Sequence, residues 1–191
     1  MIVGVASRSA NAAEVCGDRA GWWSRDGLEL VAIADGLGHG PDAAVAAAGA
    51  IDTAAAWLGG DLVELLHDMN ETLRPTRGAA VGVATVEWAS GQLTYVAIGN
   101  TRAALFGART TYLNGYAGIV GVGYRRVGAM TAQFRSGDLL ALWTDGLDEQ
   151  IAVTSADRAA ASLDDTASLL LERFARGNDD RCVVVAHLVQ S

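Results

Sequence analysis

The sequence predicts an α+β layered fold, and three features carry that prediction. Short apolar runs broken by glycine, Ser-Gly or Asp-Gly recur along the 191 residues, as antiparallel strands joined by tight turns require. Two helical stretches follow one another between residues 41 and 75 with no strand between them, so helices are segregated in a pair. A further helical stretch precedes one final apolar run. This order argues against a repeating βαβ unit.

The elements follow from local chemistry. Residues 2–7 read as a strand, with a polar loop running on to Asp18. Residues 20–24 and 28–34 form a hairpin about Arg25, Asp26 and Gly27, where Asp-Gly suits a tight turn. The next stretch is a helix: Pro41 fits its first turn, Asp42 suits its positive end, and Gly59-Gly60 stops it. Its many alanines allow close packing on a sheet. A second helix begins at Asp61, with Glu64 completing a capping-box-like pair. It buries Leu62, Leu65, Leu66, Met69 and Leu73 until Pro75 ends it. Strands then cover residues 79–88, 92–99 and 103–108, with turns at Ser90-Gly91 and Gly99-Asn100. Short strands and glycine loops fill residues 118–134, a strong strand spans 138–144, a helix 165–176, and a last strand 181–189.

Composition bounds the function. Apolar residues make up 51% and charged residues 19%, so one domain over residues 1–191 can bury a full core. With 14 basic against 22 acidic residues the net charge is −8 and no basic run appears, which excludes nucleic acid as a partner. The first ten residues lack a basic signal-peptide start, and the longest apolar run, 43–51, lies between Asp42 and Asp52, far short of a membrane span. A soluble, cytoplasmic protein with no membrane partner is expected. Cys16 and Cys182 match no zinc or redox spacing and read as reduced structural thiols.

Aspartates stand where strands begin or end. Asp35 and Asp145 each follow an apolar run and precede a glycine, Asp18 precedes a strand, and Asp179-Asp180 precede the last one. In antiparallel pairs the end of one strand lies beside the start of its neighbour, so these positions can meet at one sheet edge. Asp18 and Asp35 are also symmetric about the Asp26-Gly27 turn, which should place their carboxylates together. Carboxylates crowded in this way repel unless a cation intervenes, and oxygen ligands without clustered histidine or cysteine favour magnesium or manganese. Four carboxylates can balance two such ions, roughly 3.5–4 Å apart, with Asp35 bridging and the Gly36 carbonyl as a further ligand. The glycines around Asp35 let backbone approach a metal. Any single Asp-Gly is also a common turn dipeptide, so the case rests on the set.

Quoted in order, GD at Asp18, ADGLGHG at 34–40, GAAVGVATV at 78, YVAIGNTRAALF at 95, GIVG at 118, GDLLALWTDGLDE at 137 and DDRCVVV at 179 resemble the metal-dependent serine/threonine protein phosphatases of the 2C type. Within them the chain is most similar to the bacterial SpoIIE and RsbU branch, and its compactness resembles a stand-alone stressosome phosphatase. The resemblance implies a four-layer α-β-β-α fold, an antiparallel β-sandwich flanked by helix pairs, with two manganese or magnesium ions at one end. It implies Asp18, Asp35, Asp145 and Asp179 as carboxylate ligands, Gly36 as a carbonyl ligand, and Asp180 as a residue that supports them. It implies hydrolysis of phosphoserine or phosphothreonine by a metal-activated water, without a covalent enzyme intermediate, on phosphorylated STAS-domain components of a stressosome.

Two departures stand out. Many members carry GDSR where this chain has GNTR with Asn100, which speaks against a third metal by that route. Some relatives grip phosphate with an arginine shortly before the first acidic motif; Arg8 is nearest here, at a different spacing from Asp18. His39 either protonates the leaving serine oxygen or braces the glycine loop. His67 and His187 read as structural, and Arg19, Arg102 and Arg181 either steer an acidic phosphoprotein or balance charge. One ring of the Trp22-Trp23 pair should be core and the other exposed. The competing functions are a silent metal-binding partner module of the same fold and a hydrolase of small phosphate esters.

Overall fold

A computed structural model describes residues 1–11 and 14–189. Its elements run β1 (Ile2–Arg8), β2 (Asp18–Arg25), β3 (Leu28–Gly36), α1 (Pro41–Ala56), α2 (Leu62–Leu73), β4 (Ala79–Glu87), β5 (Gln92–Ile98), β6 (Arg102–Phe106), β7 (Thr110–Asn114), β8 (Gly118–Ile119), β9 (Gly123–Tyr124), β10 (Met130–Gln133), β11 (Leu139–Trp143), α3 (Ser155–Arg158), α4 (Leu163–Arg173) and β12 (Arg181–His187). One five-stranded sheet has the order β1-β12-β11-β6-β7 and the other β10-β5-β4-β3-β2, with every pair antiparallel.

Alternation along β3 shows how the layers stack. Val31 and Ile33 point into the sandwich, where they meet Tyr95, Leu140, Leu142 and Val184. Leu30, Ala32 and Ala34 point outward and pack under α1 and α2. A strand buried on both faces therefore reads as a continuous apolar run. On the far side Trp143, Val183 and Val185 pack against Leu170 and Leu171 of α4. The result is the expected helix-sheet-sheet-helix order.

Helix α2 buries the five apolar residues its period predicts. Each contributes roughly 1.5–3 kcal/mol by leaving water, against about 1 kcal/mol for a cap. Packing thus outweighs capping, and only half the predicted capping box forms: Asp61 accepts from the Val63 N–H at 2.7 Å. Helix α1 begins after Gly40 with no side-chain cap and lays Ala43, Ala46, Ala47, Ala50 and Ala54 against the sheet.

Several boundaries differ from the sequence reading. Asp18 and Asp35 lie inside β2 and β3 rather than outside them, because the two-residue Asp26-Gly27 turn, with both φ angles positive, lets pairing run the full length of the hairpin. Helix α4 starts earlier, since Ser162 caps it by accepting from the Asp165 N–H, and it ends at Arg173. Strand β7 and the single-turn α3 were not anticipated. No described helix is long and apolar enough to cross a membrane.

Candidate metal centre and active site

Two strand pairs, one from each sheet, end at the same end of the sandwich. Asp18 and Asp35 are direct partners in the β2–β3 ladder. Trp143 pairs with Val183 at the end of β11 and start of β12, so Asp145 and Asp179 leave that ladder side by side. Thr144 fastens this corner: its N–H donates to the Cys182 carbonyl at 3.1 Å and its hydroxyl accepts from the Cys182 N–H at 2.9 Å.

Asp180, only 3% exposed, ties the sheets' loops together. Its carboxylate accepts from the Ala10 N–H at 2.7 Å and the Gly17 N–H at 2.5 Å, which fixes the approach to Asp18. The Gly36 N–H in turn donates to the Gly17 carbonyl at 3.2 Å. Gly36 itself lies against α1, where a Cβ would sit 2.0 Å from the Ala43 carbonyl oxygen. Here the glycine is demanded by close approach of a helix.

The carboxylates share one electrostatic environment. Burial pushes Asp18 up to about 7, with the Thr144 hydroxyl working against it and Asp180, Asp145 and Asp179 adding to it. Burial, then the charges of Asp18, Asp145 and Asp179, pushes Asp35 up to about 9, with Asp145 within hydrogen-bonding reach. Asp179 is also raised, first by lost solvation. Asp18 Oδ2 is buried with no hydrogen-bond partner. An orphaned acceptor among mutually raised carboxyls, with hard oxygen donors only, fits a divalent cation. Among the described residues, no three acidic, histidine or cysteine side chains already stand as an ion cage. Asp145 is partly engaged elsewhere, accepting from the Asn100 amide at 2.5 Å.

An open cavity of about 260 Å3 lies over this end, lined by Asp35, Leu37, His39, Asn100, Asp145 and Asp179. His39 is exposed, and its Nδ1 stands 3.1 Å from Glu14 Oε2. Next to it a cavity of about 360 Å3 shares Asn100, Asp145 and Asp179 and adds Arg102, Glu149 and Arg176 among its walls. Sequence reasoning missed Glu14, the Asn100 to Asp145 contact and Arg176. The ARGNDD run at 175–180, with Arg176 three residues before Asp179, was the available signal for the last.

The other singled-out residues have separate partners or positions. Arg8 pairs with Glu172 at 2.7 Å, Arg19 is exposed on β2, and Arg181 is half-buried at the start of β12. His67 meets the Tyr124 hydroxyl at 2.8 Å on the outer face of α2, and His187 ends β12. Trp22 is 48% exposed while Trp23 packs against the core. Both cysteines are free; burial pushes the Cys16 thiol up to about 11 and Cys182 well above its ordinary range, as suits inert thiols.

Residues 25–189 match the family described as stage II sporulation protein E, SpoIIE. The chain belongs to the SpoIIE family. This SpoIIE-family protein is 27% identical over 137 residues to phosphoserine phosphatase RsbX of Bacillus subtilis strain 168, covering 70% of this chain and 68% of RsbX. Among solved structures, one from work on the bacterial stressosome as a modular system adapted to control secondary messenger signalling superposes with a TM-score of 0.89 at 29% identity, covering 96% of this chain and 97% of its own. RsbX in complex with magnesium gives 0.79 at 22% identity, covering 95% and 92%. The 2C-type phosphatase domain of Bacillus subtilis SpoIIE gives 0.75 at 19%, covering 96% and 62%; these last two likenesses speak for the fold. The SpoIIE-family chain has the 2C-type phosphatase fold and is a protein phosphatase of that metal-dependent class.

Proposed function

We propose that this phosphatase, as one domain over residues 1–191, removes phosphate from phosphoserine or phosphothreonine on STAS-domain stressosome proteins in the cytoplasm. Asp18, Asp35, Asp145 and Asp179, with the Gly36 carbonyl, hold two divalent ions, magnesium or manganese. The observation that carries the ligand assignment is the direct pairing of Asp18 with Asp35, with an orphaned, buried Asp18 oxygen, at the end where Asp145 and Asp179 also emerge. The partner rests on the likeness to RsbX and to the stressosome structure. Magnesium has support from RsbX, whose structure was solved with it.

Bound ions of this kind supply a deprotonated water at neutral pH and offset charge on a phosphoryl group. The chain's own residues supply the rest. Asp180 fixes the loop that presents Asp18, through the Ala10 and Gly17 N–H groups. The Asn100 amide orients Asp145. His39 stands on the cavity wall with Nδ1 directed to Glu14, so that, as the imidazolium with both ring nitrogens protonated, its Nε2–H gives a proton to the departing serine oxygen.

Phosphate release from a phosphorylated STAS-domain protein, with manganese, magnesium or chelator, tests this for wild type and Asp145→Asn. Release that needs the metal and is lost in the variant supports the reading. No release from any phosphoprotein under either metal points instead to a silent module of the same fold. Release only from small esters favours the small-ester hydrolase.

A further inference from the structure

Four carboxylates and two divalent ions would sum to no net charge, so beyond direct contact with the ions they would add little pull on an incoming phosphate of charge about −1.5 to −2. The protein's overall charge of −8 adds repulsion. Side chains at the site are the further source of positive charge. Arg8, the arginine nearest in sequence before Asp18, is taken by Glu172 on the outside of the fold.

Arg102 and Arg176 occupy the right place. Both line the cavity of about 360 Å3 that has Asp145 and Asp179 in its wall. Arg102 opens β6, and its guanidinium is held in position: Nη1 donates to the Asn100 carbonyl at 3.0 Å and Nη2 lies 3.3 Å from Glu149. Arg176 is anchored through its backbone, whose N–H donates to the Gly146 carbonyl at 2.8 Å, one residue beyond Asp145. Its exposed guanidinium forms no ion pair or hydrogen bond among the described residues, although the carboxylates of Asp145, Glu149 and Asp179 share its cavity. A guanidinium fork matches two phosphate oxygens at once, which an ammonium does not.

We propose that Arg102 and Arg176 grip the phosphoryl group of the substrate, Arg102 as a fixed wall of the cavity and Arg176 as the cation that closes on the phosphate. This rests on the phosphatase reading above. The arginines bind the oxygens that stay with phosphorus, so they serve recognition of phosphate rather than of one particular protein.

Inorganic phosphate is the probe. Arg176→Ala should weaken phosphate binding to the manganese-loaded protein, measured by calorimetry, about tenfold or more, as loss of a charge-assisted hydrogen bond does. The KM for 4-nitrophenyl phosphate should rise in step, with a smaller change in kcat. Arg176→Lys should recover part of the loss, and Arg102→Ala should repeat it. Unchanged phosphate binding and KM in both alanine variants would overturn the proposal. So would a KM that rises only for a phosphoprotein while phosphate binding holds, since the arginines would then touch polypeptide. Absence of turnover in the wild type sinks the phosphatase reading alone, because the calorimetric measurement needs none.

Discussion

Asp18 and Asp35 face each other as register partners across the β2–β3 ladder, at the end opposite the Asp26-Gly27 turn. Like charges directly opposite in a sheet are destabilising, so the pair calls for a counter-charge or, without one, for bound protons. Asp35→Asn removes one of the two charges and one ion ligand. Turnover should fall by more than the roughly 10–100-fold typical of residues that merely support a ligand. The metal-free fold should be retained or strengthened, as read by thermal unfolding. A variant keeping most of its rate would remove Asp35 from the ligand set.

The same pair gives the metal-free protein an unusual pH dependence. Asp18 and Asp35 hold protons up to about 7 and about 9 in the fold, whereas the unfolded chain releases them near 3.8. Between those values the folded state binds more protons, so stability falls as pH rises. A divalent ion takes the place of the protons, so its apparent affinity should climb over the same window. Thermal unfolding at roughly pH 5 and pH 9, with chelator and with magnesium, checks both halves. A metal-free Tm that rises with pH would contradict the crowding of these carboxyls.

Remote from the site, Asp157 shows the opposite sign. It is fully buried, completes a capping box with Thr154, and takes two hydrogen bonds from Arg173, one at 2.8 Å. The Arg173 guanidinium holds its carboxyl well below the ordinary range. The contribution is present above 3.8 and is lost as pH falls below it. Arg173→Leu strands a buried charge and should cost about 3 kcal/mol, the lower end for one-sided removal, because Arg173 is partly exposed. Denaturant unfolding measures it, and the loss should shrink in acid.

What the sequence disclosed follows from where chemistry is local. The β2–β3 hairpin and the five buried residues of α2 were legible because periodicity and an Asp-Gly turn announce them. Strand β7 was not, since it is an edge strand with only Leu113 buried and so carries no alternation. Helix α3 has four residues, too few for a helical period. The meeting of Asp18, Asp35, Asp145 and Asp179 could be argued from strand ends. The Glu14 to His39 and Asn100 to Asp145 contacts could not, for they join loop residues that no sequence period links.

Gly36 links fold and site most tightly, and it offers the sharpest steric prediction. An alanine Cβ there would lie 2.0 Å from the Ala43 carbonyl oxygen and 2.5 Å from its carbonyl carbon, both backbone atoms of α1. Neither can rotate away, so α1 must shift from the sheet, and the alanine-lined contact beneath it is too close to absorb the change. Gly36→Ala should therefore cost about 3 kcal/mol, the upper end of overpacking, or roughly 6–12 °C in Tm. Because β3 carries Asp35 beside it, metal affinity should fall together with stability. Gly27→Ala is the control: its Cβ would meet nothing within 4 Å, and only the strain of its positive φ remains. If Gly36→Ala cost no more than Gly27→Ala, close packing of α1 against the metal-site strand would be ruled out as the reason for the glycine.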